Sequence, residues 1–200
     1  MGIEDVSKLD LIDKPPQSSY LSAFHQLIQL KALSSTTAQL TTHGKNMATL
    51  PTSPQLSHLL LTAMSTKFRP ILPAICSLVA MLSIEQVFYQ KAAATGNSDT
   101  GPAAALFKKR RKFMNSMSDH IMLINIMRFY ISIKQQKGKH AAKAFCLEHA
   151  INEKSMYKAM QIKGQLDEYL EQIYKGQGSQ RTEEITQSNC ASDSSPQICQ

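Results

Sequence analysis

The sequence contains no tryptophan, and aromatic residues make up only 6% of it, so we expect a core of packed aliphatic side chains. Hydrophobic residues nevertheless account for 42% of the 200 residues, enough to bury one ordinary domain or two small ones. Ten of them are methionines, whose flexible side chains fill gaps between packed helices. The composition therefore favours a mainly α fold, and we assign the methionines no cofactor chemistry.

Three further absences limit where the protein acts. The four cysteines show no paired spacing, which argues against a disulfide scaffold. The first residues lack the basic and apolar regions of a secretory signal. The longest apolar stretch, residues 71–84, is too short to cross a bilayer core of about 30 Å. These features predict an intracellular protein with no membrane partner.

The sequence also lacks the motifs of common enzymes. It has neither a GxxxxGK[ST] phosphate loop nor an Asp-Glu-Ala-His motif, so the chain alone should not hydrolyse ATP and needs no cofactor of its own. Cys146 and His149, with His140 nearby, offer three metal ligands where a structural zinc site uses four. Asp13, His25 and a serine lack the strained turn of a hydrolase. We therefore predict no catalytic and no metal site.

Prolines, glycines and capping residues divide the chain into helices separated by little strand. The first helix carries an apolar stripe that includes Leu21 and Phe24 and is expected to be buried. Residues 39–41 form a short β-like step. The helix after Pro70 is expected to be buried nearly all round. Helices are predicted at about 18–33, from Gly44 to Leu50, from Pro54, after Pro70, from Ser118-Asp119, near 140–150 and at 153–174.

Positive charge is concentrated in the second half. Residues 1–106 carry a formal charge of +1, residues 107–175 carry +8 and residues 176–200 carry −2. An Ala, Gly, Asn, Ser and Pro-rich stretch predicts a linker at 91–106, and the polar residues after Gly176 predict a disordered tail at 176–200. A concentrated positive face is typical of polyanion binding, although lysines also keep a helix face solvated.

Several blocks occur in a fixed order, which is more specific than any one motif. Each block is given as the pattern of one protein family, followed in brackets by the residues of this sequence that match it. The blocks are MGI.D...FDF.D.PP at 1–16 (MGIEDVSKLDLIDKPP), AL..L..L.AL at 23–33 (AFHQLIQLKAL), LT.LG..MA.FPLDP.L at 40–56 (LTTHGKNMATLPTSPQL), AMLSV..VFY at 80–89 (AMLSIEQVFY), KF......GDHLTLLN at 112–113 and 118–125 (KF, SDHIMLIN), and WC..NF.N.RSL at 145–146 and 154–156 (FC, KSM). In this order, the blocks resemble the region after the second RecA-like domain of DEAH-box RNA helicases.

The resemblance implies a degenerate winged helix at 1–90 and a helical-bundle, ratchet-like domain at 107–175, without the ATP-hydrolysing motor domains. In the family this pair closes a channel for single-stranded RNA, and the helix from Asp119 would lie along it and hinder back-slipping. ATP and Mg²⁺ would serve only the parent helicase. The 200 residues are accordingly interpreted as a fragment, with single-stranded RNA, RecA-like domains and an activator protein as expected partners.

Three departures from the patterns affect this interpretation. Ser118 replaces the family glycine, Phe145 replaces the tryptophan and Lys154 replaces the arginine. Phenylalanine loses the indole donor, and lysine cannot reproduce a two-pronged guanidinium contact. RNA contacts are either diverged or relaxed in this sequence.

The basic run at 108–112 is the sharpest local feature, with phosphate contact, nuclear import and a solvated loop as open interpretations. If the run is a nuclear-import signal, it favours a nuclear location, with the cytoplasm as the alternative. Asp119 also suits a helix N-terminus, and lysines between 134 and 143 suit a helix C-terminus. Lys154, Lys158 and Lys163 lie at or near helical spacing and could form a positively charged stripe that faces an RNA backbone. The predicted RNA-binding residues are Lys108, Lys109, Arg110, Arg111, Lys112, Asp119, His120, Lys154 and Lys158.

Two functions follow as hypotheses. The first is an RNA-binding, strand-guiding module that contacts the backbone with little sequence readout. The alternative is a protein-interaction module that docks on RecA-like domains or an activator and has little RNA affinity. An independent enzyme is the least favoured interpretation.

Overall fold

The computed structural model describes residues 12–65, 67–89, 108–116 and 118–191, with side chains described as far as Gly176. The chain divides into two compact units, Met1–Thr62 and Ala63–Gln200. Within the described ranges, regular structure is helical and strand pairing is confined to two isolated bridges. The prediction of a mainly α fold is confirmed.

The helices of the first unit are α1 (Gln17–Gln29), α2 (Thr42–Thr49) and α3 (Pro54–Ala63), whose last residue lies just past the unit's boundary. Helix α2 begins where the Thr41 hydroxyl accepts a hydrogen bond from the Gly44 N–H at 2.9 Å, which satisfies one of the free donors of the first turn. Helix α3 starts at Pro54, as predicted, because proline has no N–H to leave unpaired there.

A close backbone crossing precedes α2. Leu33 pairs with Leu40 in an antiparallel bridge, which confirms the short β-like step. The Thr41 N–H donates to the Ala32 carbonyl at 3.0 Å and draws the two chain segments together. A Cβ atom at Gly44 would overlap that carbonyl oxygen. The position therefore requires glycine because of space.

Helix α1 does not bury its apolar stripe. None of its residues is buried, and Leu21 and Phe24 are 58% and 43% exposed. Leu27 and Ile28 are half-buried. The prediction of a buried stripe is wrong for the first two residues, since helical spacing identifies an apolar face without showing what covers it.

The second unit contains α4 (Leu72–Leu82), α5 (Asp119–Glu148) and α6 (Glu153–Ala191). Helix α4 packs against both α5 and α6. Its residues 76–81 are all buried, which confirms the predicted burial for this part of the helix, whereas Leu82 is 39% exposed. The core cluster of this unit includes Met81, Phe113, Ile126, Met127, Tyr130, Phe145, Cys146, Ile151 and Met156.

Helix α6 is longer than expected. It passes Gly176, where the ordered part was expected to end, and continues to Ala191. Glycine costs a helix about 1 kcal/mol relative to alanine but does not terminate it, and residues 176–191 contain no proline. Of the segment expected to be disordered, residues 176–191 are thus helical, while 192–200 lie outside the described residues.

The compact units group the helices differently from the predicted domains. Helix α4 belongs to the second unit, whereas the sequence placed it with residues 1–90. The predicted linker at 91–106 lies outside the described residues. No helix in the described ranges combines the length and hydropathy that a membrane span requires.

Candidate nucleic-acid interface

The turn between α5 and α6 also contacts the segment that contains Phe88 and Tyr89, so it holds this segment and the two helices together. Ala150 has a left-handed backbone, with φ of 50°, which reverses the chain after α5. Phe88 forms a bridge with Ile151, and the Tyr89 N–H donates to the Ala150 carbonyl at 3.0 Å. The Asn152 side chain then accepts from the Lys154 N–H at 3.1 Å and so caps α6.

Arg110 fastens the basic run to this turn. Its Nε donates to the His149 carbonyl at 3.0 Å, and its Nη2 donates to the Ala150 carbonyl at 3.1 Å. The guanidinium carbon lies 4.0 Å from the centre of the Phe88 ring. Free carbonyls at a helix C-terminus favour a cation. These contacts give Arg110 a structural role inside the unit.

The other cations of the run point outwards. Lys108, Lys109, Arg111 and Lys112 are exposed. The Lys112 ammonium lies 5.0 Å from the ring centre of Phe113 and 5.8 Å from that of Phe145, within cation–π range. The run therefore presents four exposed charges around one anchored arginine.

The start of α5 follows the capping prediction. The Ser118 hydroxyl accepts from the His120 N–H at 3.2 Å and also lies 3.3 Å from His120 Nδ1. Asp119 is exposed in the first turn, where a carboxylate complements the helix dipole. Both residues thus have a role in the first turn of the helix, and both of their side chains are exposed to solvent.

A glycine divides α5 into two parts at a kink. Gly138 has φ of 81° and ψ of −177°, a conformation that residues with a Cβ avoid. The prediction of a break among the lysines at 134–143 is confirmed. The kink lets Lys134 and Lys139, on opposite sides of it, face the start of α6 together.

The two parts of α5 and the first turns of α6 enclose an open groove of about 730 Å³, called the lysine groove below. Four lysines and one glutamate give its walls a net positive charge. The predicted residues Lys154 and Lys158 belong to it, whereas none of residues 108–112 lines it. Its lining residues are Tyr130, Lys134, Lys139, Ala142, Glu153, Lys154, Tyr157, Lys158 and Gln161.

Two tyrosines give the lysine groove an aromatic element. Tyr157 is 52% exposed, and the Lys134 ammonium lies 5.5 Å from its ring centre. Tyr130 is buried, and burial, followed by the neighbouring Cys146 and Glu153, raises the pKa of its phenol. Tyr130 is therefore a neutral wall of the groove, while Tyr157 offers an accessible ring face.

Lys163 does not extend this charged surface. Its ammonium lies 2.6 Å from Asp167 Oδ2, in an ion pair that satisfies it within the protein. Asp167 also contacts the buried Cys76 thiol on α4, whose pKa is raised to about 12, chiefly by burial and then by this carboxylate. The expected stripe of Lys154, Lys158 and Lys163 is thus reduced to its first two members.

Metal chemistry receives no support in the described part of the chain. No group of three histidine, cysteine or acidic side chains there could hold a metal ion. Burial and the nearby Glu153 raise the pKa of the Cys146 thiol to about 12, so the thiol is neutral in the metal-free chain. His149 lies within the aromatic cluster formed with Phe113 and Phe145.

Comparisons with known proteins agree with the resemblance in the sequence. Residues 53–123 match the model of the helicase associated domain (HA2), ratchet-like. These residues carry the ratchet-like helicase-associated domain. The match begins before α3, so this helicase-associated region includes α3 and α4.

A named relative extends the likeness beyond that range. The chain is 30% identical over 166 residues to the pre-mRNA-splicing factor ATP-dependent RNA helicase prp22 of Schizosaccharomyces pombe (strain 972 / ATCC 24843). The alignment covers 83% of this chain and 13% of that protein. The chain therefore spans only a small part of the length of this curated relative.

Sequence reasoning missed part of the lysine groove. Lys134 and Lys139 were assigned to a helix end, and Tyr157 was not singled out. The spacing of Lys154, Tyr157 and Lys158, at i, i+3 and i+4, places all three on one helix face and was the available signal. The contribution of α5 depends on the direction in which the helix bends at Gly138, which the predicted break alone does not specify.

Proposed function

We propose that the chain is an accessory module of a DEAH-box RNA helicase that guides single-stranded RNA, with the RNA backbone held in the lysine groove. The single observation that carries this proposal is the convergence of Lys134, Lys139, Lys154 and Lys158 on one groove. The helicase-associated match and the relative's name as an RNA helicase support RNA as the polyanion.

The chemistry of the groove suits backbone contact. Ammonium groups attract phosphates as point charges and carry no information about base identity. The exposed Tyr157 ring can stack on any base, and stacking is tolerant of sequence. The exposed cations at 108–112 would add a second area of phosphate contact. Binding should therefore be weak, salt-dependent and nearly independent of sequence.

Fluorescence anisotropy with labelled single-stranded RNA tests the proposal. The double variant Lys154→Ala/Lys158→Ala should lower affinity and reduce the slope of log affinity against log salt by about 0.7 for each lost contact. Lys137→Ala/Lys143→Ala is the matched control, since it removes two exposed lysines of α5 that do not line the groove.

The comparison of the two double variants decides between groove contact and general charge. Equal losses in both would show that only net charge matters, and the groove would lose its role. Losses that differ between unrelated RNA sequences would point to base readout instead. A further pair, Tyr157→Phe and Tyr157→Ala, separates stacking from the phenol hydroxyl, because only the second removes the ring.

Docking on a protein partner is the second candidate function. It is supported by the exposed Leu21 and Phe24 on α1, since adjacent exposed apolar side chains are typical of interaction surfaces. RecA-like domains of the parent or a paralogue, or an activator, would be the partners. If added RecA-like domains bind tightly while the groove variants leave RNA binding of the assembly unchanged, this function replaces the first.

The ATP-dependent activity of the parent helicase is part of the same proposal. ATP-dependent unwinding or remodelling would reside in motor domains that bind ATP and Mg²⁺, whose motifs are missing from these 200 residues. The relative's name as a pre-mRNA-splicing factor supports an intracellular and nuclear location, with the cytoplasm as the alternative.

A further inference from the structure

The ring of His149 is enclosed without polar partners. Only 1% of the residue is exposed, and neither ring nitrogen has a hydrogen-bond partner among the described residues. The ring meets Phe113 and Phe145 edge to face, with ring centres 5.1 Å and 4.9 Å away. A neutral imidazole can occupy such an apolar site, whereas a charged one would lose its hydration with no hydrogen bond in its place.

The charges around the ring are mostly positive. Lys109, Arg110 and Lys112, all in the basic run, are near enough to lower its pKa, and the opposing carboxylate among the described residues is that of Glu148, the last residue of α5. Glu148 is 59% exposed, and its Oε2 lies 3.8 Å from His149 Nε2. Burial first, and then Lys112, lower the pKa of His149, while Glu148 opposes them.

His149 also lies where the basic run is attached. Its carbonyl accepts the Nε hydrogen bond of Arg110, and Phe113, which covers its ring, ends the short helical turn that follows Arg110. A movement that brings the ring to water would therefore disturb both the aromatic contact and the arginine contact. Segment 108–113 and the α5–α6 turn are held together through this residue.

We propose that His149 is an acid-sensitive latch: its neutral ring holds segment 108–113 on the α5–α6 turn, and protonation of the ring by solvent releases the segment. The imidazolium has to leave the aromatic site to find water, so Phe113 loses its cover and the Arg110 contacts weaken. Loss of the proton reverses the change.

The direction with pH follows from proton linkage. A histidine in the open, solvated state has a pKa of about 6.5, above that of the closed state. The closed state is fully favoured above pH ~6.5, and it loses stability as the pH falls from there towards the lowered pKa. In this interval the opening equilibrium should rise by at most about tenfold per pH unit, the limit for one proton. The buried Cys146 thiol, with a pKa of about 12, does not titrate there.

Hydrogen exchange measured by mass spectrometry between pH 5 and 8, corrected for intrinsic rates, tests the latch on the free chain without RNA. Peptides covering 108–113 and 149–152 should open increasingly below pH ~6.5 in the native sequence. The variant His149→Gln, which cannot titrate, should lose this dependence. His120→Gln, at an exposed position at the start of α5, is the control and should retain it.

Two results would overturn the inference. One is an equal pH dependence in the native chain and in His149→Gln. The other comes from nuclear magnetic resonance of the native chain, which covers the case of a variant that does not fold: a His149 ring that titrates at or above about pH 6.5 contradicts a latch held by the neutral form. Because no RNA is present, neither result depends on the proposed function.

Discussion

Replacing Arg110 with alanine tests how the basic run is attached. The change removes two hydrogen bonds from a charged donor and the contact with the Phe88 ring. A hydrogen bond to a charged group contributes about 1.5–3 kcal/mol, and an exposed cation–π contact about 0.5–1 kcal/mol. Since both hydrogen bonds share one half-buried guanidinium, we count them as a single bond to a charged group and, with the ring contact added, expect a total loss of about 2–3 kcal/mol.

The assay is thermal and urea denaturation followed by circular dichroism, because the chain contains no tryptophan. The melting temperature of Arg110→Ala should fall by roughly 5–10 °C. Arg111→Ala removes the same charge from an exposed neighbour and should change stability by no more than about 0.5 kcal/mol. Arg110→Lys should be intermediate, since one ammonium cannot reproduce both bonds. Indistinguishable Arg110→Ala and Arg111→Ala proteins would refute the structural role.

Three other outcomes are expected. In denaturation, Gly44→Ala should destabilise the first unit by about 1–3 kcal/mol, because the new Cβ atom overlaps a backbone carbonyl. Gly164→Ala, where a Cβ atom on α6 meets open space, should instead stabilise the protein by about 0.5–1 kcal/mol. The opposite order of stability would contradict the close backbone crossing at Gly44. Removing residues 178–200 should leave the melting temperature nearly unchanged, since the segment is polar, and a drop of several degrees would show that it packs. The purified chain should show no RNA-stimulated ATPase, and turnover abolished by mutating its own residues would disprove this.

Local chemistry made much of the fold predictable. Ser118 caps α5 and Pro54 starts α3 because capping and proline rules depend on adjacent residues alone. The buried helix after Pro70 was predictable from its long, largely apolar stretch. The exposure of Leu21 and Phe24 on α1 was not predictable, because burial depends on a covering surface that helical spacing does not encode.

The candidate site was less accessible to prediction. Arg110 was assigned to RNA within a basic run, yet its acceptors lie 39 and 40 residues away and belong to a turn formed by Ala150 in a left-handed conformation. Similarly, Lys134 and Lys139 join Lys154 and Lys158 only because α5 bends between them. Side chains brought together by tertiary packing leave no pattern in a single sequence.

The most direct test of the central claim is photochemical cross-linking of the chain to single-stranded RNA containing 4-thiouridine, followed by mass spectrometry of the adducts. The lysine groove predicts adducts on peptides within 130–161, above all at the exposed ring of Tyr157, and their loss in Lys154→Ala/Lys158→Ala. Lys137→Ala/Lys143→Ala should leave them in place. Adducts confined to the first unit, or unaffected by either double variant, would contradict RNA contact through the groove.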